Sequence, residues 1–458
     1  MINERLLAWS KQLIGCRSVT NEGTRAITQL CAREILAPLG IKAELISSRN
    51  EGPEQANLIA YVRGSDVLAT PIVLNTHLDT VPPGDHALWT ACNQDPFTAR
   101  VEGERIYGLG AADTKLDFVA KLSALAARPP RRSVTLIATF GEEHGLAGAR
   151  ELAGGGLLPK GALAFIGEPS HLEVITAHKG LMVFQLRVGF TSAPEHFVRA
   201  TRLVFEGRAA HSSTPALGKN AILLALEQLL QYRDCAVLSV RGGDAVNKVP
   251  ARCEALLAGA GALPFEHATA SSVTDAELAP IPREVIELVV AFTKRVQEFA
   301  ERTGPEEPDY AAPTLTCNPG VLYSEHGSLT LEFELRPPPG LSLELIREGV
   351  FRIGEQLGQR AADLHVDLAE RRANPGFRSA LESETVEIAM AALAQTGLPL
   401  STNVKAGCTE AGIYAVAGLK PIVFGPGPST GVIHAPNEYN LLAEVEQAAH
   451  FYRELLQL

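Results

Sequence analysis

Three short apolar runs constrain this chain most: PIVLNTH (71–77), SVTLIATF (133–140) and GALAFIG (161–167). Each is rich in apolar and β-branched residues and too short for a buried helix, so each reads as a strand. Between the first two lies DFVAKLSALAARP (117–129), which has helical spacing and a proline stop. Strand and helix in alternation imply an α/β sheet with helices on its faces. In such sheets, ligands collect beyond the carboxyl ends of the strands. His77, Glu142, Glu143 and Glu168 all fall at the exit of an apolar run.

From about Gly180 the texture changes. GLMVFQLRVGF and RATRLVFEG read as half-buried antiparallel strands, and NAILLALEQLLQYRD (220–234) as an amphipathic helix. SLTLEFELRPPPG (328–340) alternates and stops at prolines, and ELIREGVFRIGEQLG (344–358) is a second helix. These form a separate α+β unit inserted into the first. After ANPGF (373–377), a helical segment (381–396) and the strand KPIVFG (420–425) resume the earlier pattern. The expected division is one domain over 1–179 and 373–458, with 180–372 inserted. Residues 258–316 fit neither pattern, although PREVIELVVAFTKRVQEFAERTG (282–304) has a helix start, a helix stop and an apolar stripe. The block is expected to be a surface excursion.

A chain of 458 residues holds two or three domains, and its formal net charge of -11 argues against a nucleic-acid partner. The N-terminus, with Glu4, reads as an amphipathic helix and not as a signal peptide. No apolar run reaches the ~20 residues of a membrane span. Seven scattered cysteines without a CxxC pair fit reduced thiols, hence a cytoplasmic setting.

Five places carry chemistry. HLD (77–79) offers an imidazole and a carboxylate to orient it, and YGLGAADTK places Asp113 in a glycine-rich loop. GEEHG pairs Glu142 with Glu143, FIGEPS supplies Glu168, and GVIHAPNEY supplies His434. Taken singly, each has a structural explanation: a surface histidine, a turn residue or a helix cap. Together they offer two histidines and several carboxylates, a donor set that suits zinc, with cobalt or manganese as alternatives. Two histidines, two glutamates and a bridging aspartate would hold two ions about 3.5–4 Å apart, leaving one acid for proton transfer.

The motifs HLDTVPPG, DPFTARVEGERIYGLGAADTK, GEEHGLAGAREL, IGEPSHLEVITAHKG, AHSSTPALGKNAI, LRPPPG and CTEAG run in order along most of the chain. In this the sequence resembles the M20 family of co-catalytic metallo-aminoacylases and peptidases, with the acetylornithine deacetylase branch nearest and the succinyl-diaminopimelate desuccinylases related. The resemblance implies a zinc-peptidase-like α/β catalytic domain with an inserted α+β lid and dimerisation domain. It implies two divalent ions, zinc first and cobalt second. His77, Asp113 and Glu168 would hold one, and Asp113, Glu143 and His434 the other. Glu142 would be the general base, and Asp79 would orient His77. His211 of AHSS matches a lid histidine that family members extend towards the neighbouring subunit's site, where it stabilises an oxyanion. Asn247 and Arg336 match positions that contact substrate, and a guanidinium suits a carboxylate. Asn247 as a turn cap and Arg336 as a strand-end charge are their structural alternatives. His178 reads as hinge structure and Cys408 as packing, and His144 has no role.

The implied reaction is amide hydrolysis of an N-acyl amino acid or short peptide by metal-activated water in a homodimer, on the acetylornithine deacetylase pattern. Other N-acyl amino acids, dipeptides, and a non-catalytic metal-stabilised binding protein remain as alternatives. The chain departs from its relatives at Gly141, where Asp is common, and at Leu116–Asp117, where glycine is usual. The 258–316 block and a smaller addition near 189–198 enlarge the inserted unit and leave the acyl group open.

Overall fold

The three apolar runs form the middle of one sheet. The computed structural model describes residues 3–52, 54–259, 268–361 and 363–458. In it the strands Ile72–His77, Val134–Thr139 and Leu163–Gly167 lie parallel and side by side, with every residue buried. A strand buried on both faces has no polar side to show, which is why the sequence reads as continuous apolar runs. Ile72 sits level with Val134 and Leu163, so all three strands end at the same edge.

Among the described residues this sheet has nine strands. Ala56–Val62 and Ala43–Ser47 extend it antiparallel on one side. Lys420–Val423 continues it in parallel on the other, followed by Val174–His178. Helices Glu4–Gly15, Lys115–Ala127, Glu384–Thr396 and Leu442–Leu455 cover one face through Leu13, Phe118, Leu122, Ala389 and Phe451. Ala147–Gly154 and Ala411–Val416 cover the other through Ala149, Leu152 and Tyr414. The expected α/β architecture is present, with a separate antiparallel sheet beyond it.

The chain divides into two compact units, Met1–His178 with Phe377–Leu458, and Lys179–Gly376. The second unit is built on an eight-stranded antiparallel sheet. Its core joins Phe184, Leu331 and Phe333 of the strands to Ile222 and Leu226 of the helix Ala221–Leu229 and to Ile346 and Val350 of Leu343–Arg360. Asn220 starts the first of these helices by accepting the N–H groups of Ile222 and Leu223.

The expectation of a surface excursion over 258–316 is overturned. Helix Arg283–Arg302 carries Val285, Val289, Phe292 and Val296 fully into the core of the second unit. Ala268–Leu278 adds an edge strand to its sheet. An apolar stripe that long is stable only against a partner, and the broad sheet supplies one. The addition near 189–198 joins the same feature, since Glu195 pairs with Leu278 and Arg199 with Thr274. Residues 260–267 of the block lie outside the described residues. Among the described residues no helix is long and apolar enough to cross a membrane, and all seven cysteines are free thiols.

Candidate metal centre

Three parallel strands deliver four of the acidic and basic groups to one edge of the first unit. His77 is the last residue of its strand, Glu168 follows Gly167, and Glu142 and Glu143 open a turn after Thr139. Gly141, with φ 63°, takes the left-handed conformation that bends the chain into that turn. The departure from aspartate at this position therefore has a backbone reason. Asp113 and His434 arrive on loops, and His434 itself has φ 58°.

Asp113 lies between the two histidines. Its Oδ1 is 3.0 Å from His77 Nε2, and its Oδ2 is 3.3 Å from His434 Nε2. His434 Nε2 is also 3.1 Å from Glu143 Oε1. The ligand atoms of Asp113, Glu143 and His434 all fall within 4.8 Å of one another. On the other side, His77 Nε2 is 3.9 Å from Glu168 Oε1. The His77 ring donates from Nδ1 to the Asp79 carbonyl at 3.1 Å, which leaves Nε2 as the nitrogen free to face Asp113.

Asp79 does more than the sequence implied. Its carbonyl makes the hydrogen bond to His77, while its carboxylate stands 3.6 Å from Nδ1. That carboxylate accepts the backbone N–H of Glu142 at 3.1 Å and of Glu143 at 3.3 Å, and the Thr20 hydroxyl at 2.8 Å. One buried aspartate thus ties the histidine strand to the glutamate turn.

The electrostatics show a cluster short of positive charge. Burial, then the Glu168 charge, push the Glu142 carboxyl well above its usual value. Burial and the Asp113 charge raise Glu143, against the pull of His434. Asp113 goes the other way: two imidazole hydrogen bonds outweigh its burial and hold it low. His434 is pushed up to about 11 by Asp113 and Glu143. Burial would lower His77, but the neighbouring Asp113 and Asp79 outweigh it and raise it. Lys405 forms an ion pair with these carboxylates, 3.1 Å from Glu168 Oε2. Adjacent buried carboxylates of this kind need a compensating cation. Mixed imidazole and carboxylate donors with a shared aspartate fit divalent ions such as zinc or cobalt.

In the second unit, His211, Asn247 and Arg336 share one patch. His211 and Lys248 form a bridge, and Ser212 N–H donates to the Asn247 carbonyl at 3.1 Å. Asn318 holds the same loop by donating to the Val246 and Lys248 carbonyls. Ser212 Oγ and Arg336 Nε both donate to Glu334 Oε1 at 2.5 Å. Arg336 is buried, with its charge set against Glu334. His211 Nδ1 accepts the Ser213 N–H at 3.2 Å, so the neutral ring carries its proton on Nε2.

Sequence reasoning missed Glu334, Lys405 and Glu438. Glu334 had a signal, since it lies two residues before Arg336 on one strand and therefore on the same face. His178, read as structure, accepts the Thr409 N–H at 3.1 Å and packs its ring on Phe377. His144 makes no hydrogen bond to this cluster among the described residues and instead lines a pocket with Thr20, Glu51 and Gln55.

A family model for peptidase family M20/M25/M40 matches residues 73–458, and the chain belongs to that family. An acetylornithine deacetylase from Edwardsiella ictaluri (strain 93-146) is 33% identical over 242 residues, 48% of this chain and 56% of the relative. Another, from Klebsiella pneumoniae (strain 342), is 34% identical over 206 residues, 40% of this chain and 48% of the relative. The chain spans about half the length of the curated relatives it matches. The fold is shared with an aminoacylhistidine dipeptidase from Vibrio alginolyticus, at TM-score 0.64 and 16% identity over 99% of this chain and 96% of that one.

Proposed function

We propose that this family member is a di-metal amidohydrolase that removes the acyl group from an N-acyl amino acid, with N-acetylornithine as the first candidate substrate. The observation that carries this reading is the Asp113 carboxylate, whose two oxygens face His77 and His434 separately. His77, Asp113 and Glu168 would hold one ion, and Asp113, Glu143 and His434 the other. Divalent ions bound there would polarise the scissile carbonyl and bring an attacking water's pKa toward about 7.

Glu142 is the one acid of the cluster left for proton transfer. It takes the proton of the attacking water and returns it to the departing amine nitrogen. Asp79 keeps Glu142 and Glu143 at fixed height through their N–H groups. In the second unit His211 Nε2–H makes no hydrogen bond among the described residues, and its proposed role is to donate to the oxyanion in the neighbouring subunit's site. A removed oxyanion donor costs ~10²–10³-fold in turnover in other hydrolases. Arg336 and Asn247 are proposed to contact the substrate carboxylate.

A second reading, a dipeptide or an N-acyl amino acid with a larger acyl group, is favoured by the edge strand and helix that enlarge the second unit. The test is a panel of N-acetylornithine, N-succinyl-diaminopimelate, N-acetyl amino acids and dipeptides, assayed after chelation and again with zinc or cobalt restored. N-acetylornithine turnover that depends on metal supports the first reading. Metal binding without hydrolysis of any member would return the chain to a binding role.

A further inference from the structure

The segment that carries His434 does a second thing four residues later. Glu438 is buried, and its carboxylate points into the loop that carries Asp113. Oε1 accepts the N–H of Ala112 at 2.8 Å and of Asp113 at 3.0 Å, and Oε2 accepts that of Gly110 at 3.1 Å. The Glu438 carbonyl accepts the Gly108 N–H at 3.0 Å, and Asn440 Nδ2 donates to the Ala111 carbonyl at 2.9 Å. Gly110, with φ 82°, turns its N–H inwards so that the donors converge on one carboxylate. The backbone beside this contact is fixed too, because Asn440 pairs with Ile106 in a short antiparallel ladder.

We infer that Glu438 is a positioning residue that sets the bridging carboxylate of Asp113 against His434. It offers no atom to the ions themselves. His434 and Glu438 belong to one short stretch, and Asp113 hangs by its own N–H from Glu438. The separation of the two ligands is therefore fixed through a buried carboxylate and not by two independent loops. Without this clasp the glycine-rich 108–113 loop would have to find its conformation on binding, and that ordering would be subtracted from metal affinity. The inference rests on the two-ion reading of the site.

The test compares wild type with Glu438→Gln as full-length chains. Gln keeps the shape and loses one acceptor and the charge. Metal-free protein is titrated with Co²⁺ against a competing chelator, and its melting temperature is read with and without Co²⁺. The expected result is a Co²⁺ affinity ~10-fold or more weaker in Glu438→Gln, the range seen for groups that support metal ligands. The control is Leu455→Ala, a core truncation in the last helix. It should lower the melting temperature and leave Co²⁺ affinity unchanged. Equal affinity of wild type and Glu438→Gln would overturn the inference alone, as would an equal loss in Leu455→Ala. A wild type that binds no Co²⁺ would overturn the metal reading and this inference with it. If Glu438→Gln does not fold, hydrogen exchange on metal-free wild type decides. The Ala112 and Asp113 amides should be protected before metal is added, and free exchange there would overturn the clasp.

Discussion

The two units treat buried charge in opposite ways. In the first, Asp113, Glu142, Glu143 and Glu168 converge against two imidazoles and Lys405, while the buried Lys121, whose charge also acts on Glu168, is paired with Asp117. In the second, Arg336 and Glu334 neutralise each other in place, and Ser212 joins them. The first arrangement needs a cation added to it; in the second the ion pair is closed, although Glu334 Oε2 makes no hydrogen bond among the described residues. On the proposed reading, chemistry falls where charge is left uncompensated, and substrate contact where it is already paired.

This contrast can be broken or sharpened in several ways. The largest expected effect is on turnover. Glu142→Gln should lower kcat by ~10²–10⁴-fold while both ions stay bound, as measured by steady-state rates beside metal analysis. Full turnover in a metal-loaded Glu142→Gln protein would remove Glu142 from the chemistry. Next comes the closed pair of the second unit. Arg336→Ala leaves the buried Glu334 charge without its cation, with only the Ser212 hydroxyl still donating to it, which should cost about 3–5 kcal/mol in denaturant unfolding. Replacing both, Arg336→Met with Glu334→Leu, should recover most of that stability while substrate affinity stays lost.

A smaller effect should change sign with metal. In metal-free protein Glu143→Gln removes one of several crowded carboxylates and should raise the melting temperature by a few degrees. With Co²⁺ present the same change removes a ligand and should lower it. A change of the same sign in both states would show that the cluster has no need of a cation. The smallest effect concerns His211. Burial, then the Arg336 charge, lower its pKa from the usual 6.5, while Glu334 acts in the opposite direction. The unfolded chain therefore binds the extra proton first as pH falls below about 6.5, and stability is lost from there downward. Urea midpoints at mildly acid and neutral pH should differ less in His211→Asn than in wild type.

Part of this was legible in the sequence, for physical reasons. Parallel strands buried on both faces must be apolar throughout, so PIVLNTH, SVTLIATF and GALAFIG announce both the sheet and the edge where His77, Glu142, Glu143 and Glu168 emerge. Asp113 and His434 sit on loops, where no periodicity points to them; residue type made them candidates, and only the run of motifs implied a ligand role for each. The supporting groups were harder still. Asp79 and Glu438 act by accepting backbone N–H groups, and a backbone N–H leaves no mark on residue identity. The expected surface placement of the helix Arg283–Arg302 failed for another reason. Its apolar stripe was visible, but what it packs against is a sheet assembled from strands far away in sequence.

Metal stoichiometry tests the central claim most directly. Wild type, Glu143→Ala and Asp113→Ala would be stripped with a chelator, reloaded with Co²⁺ and counted by elemental analysis. A site in which Asp113 is shared predicts about two ions for wild type, one for Glu143→Ala and none held tightly by Asp113→Ala. Full loading of Asp113→Ala, or a wild type that retains no ion, would contradict it.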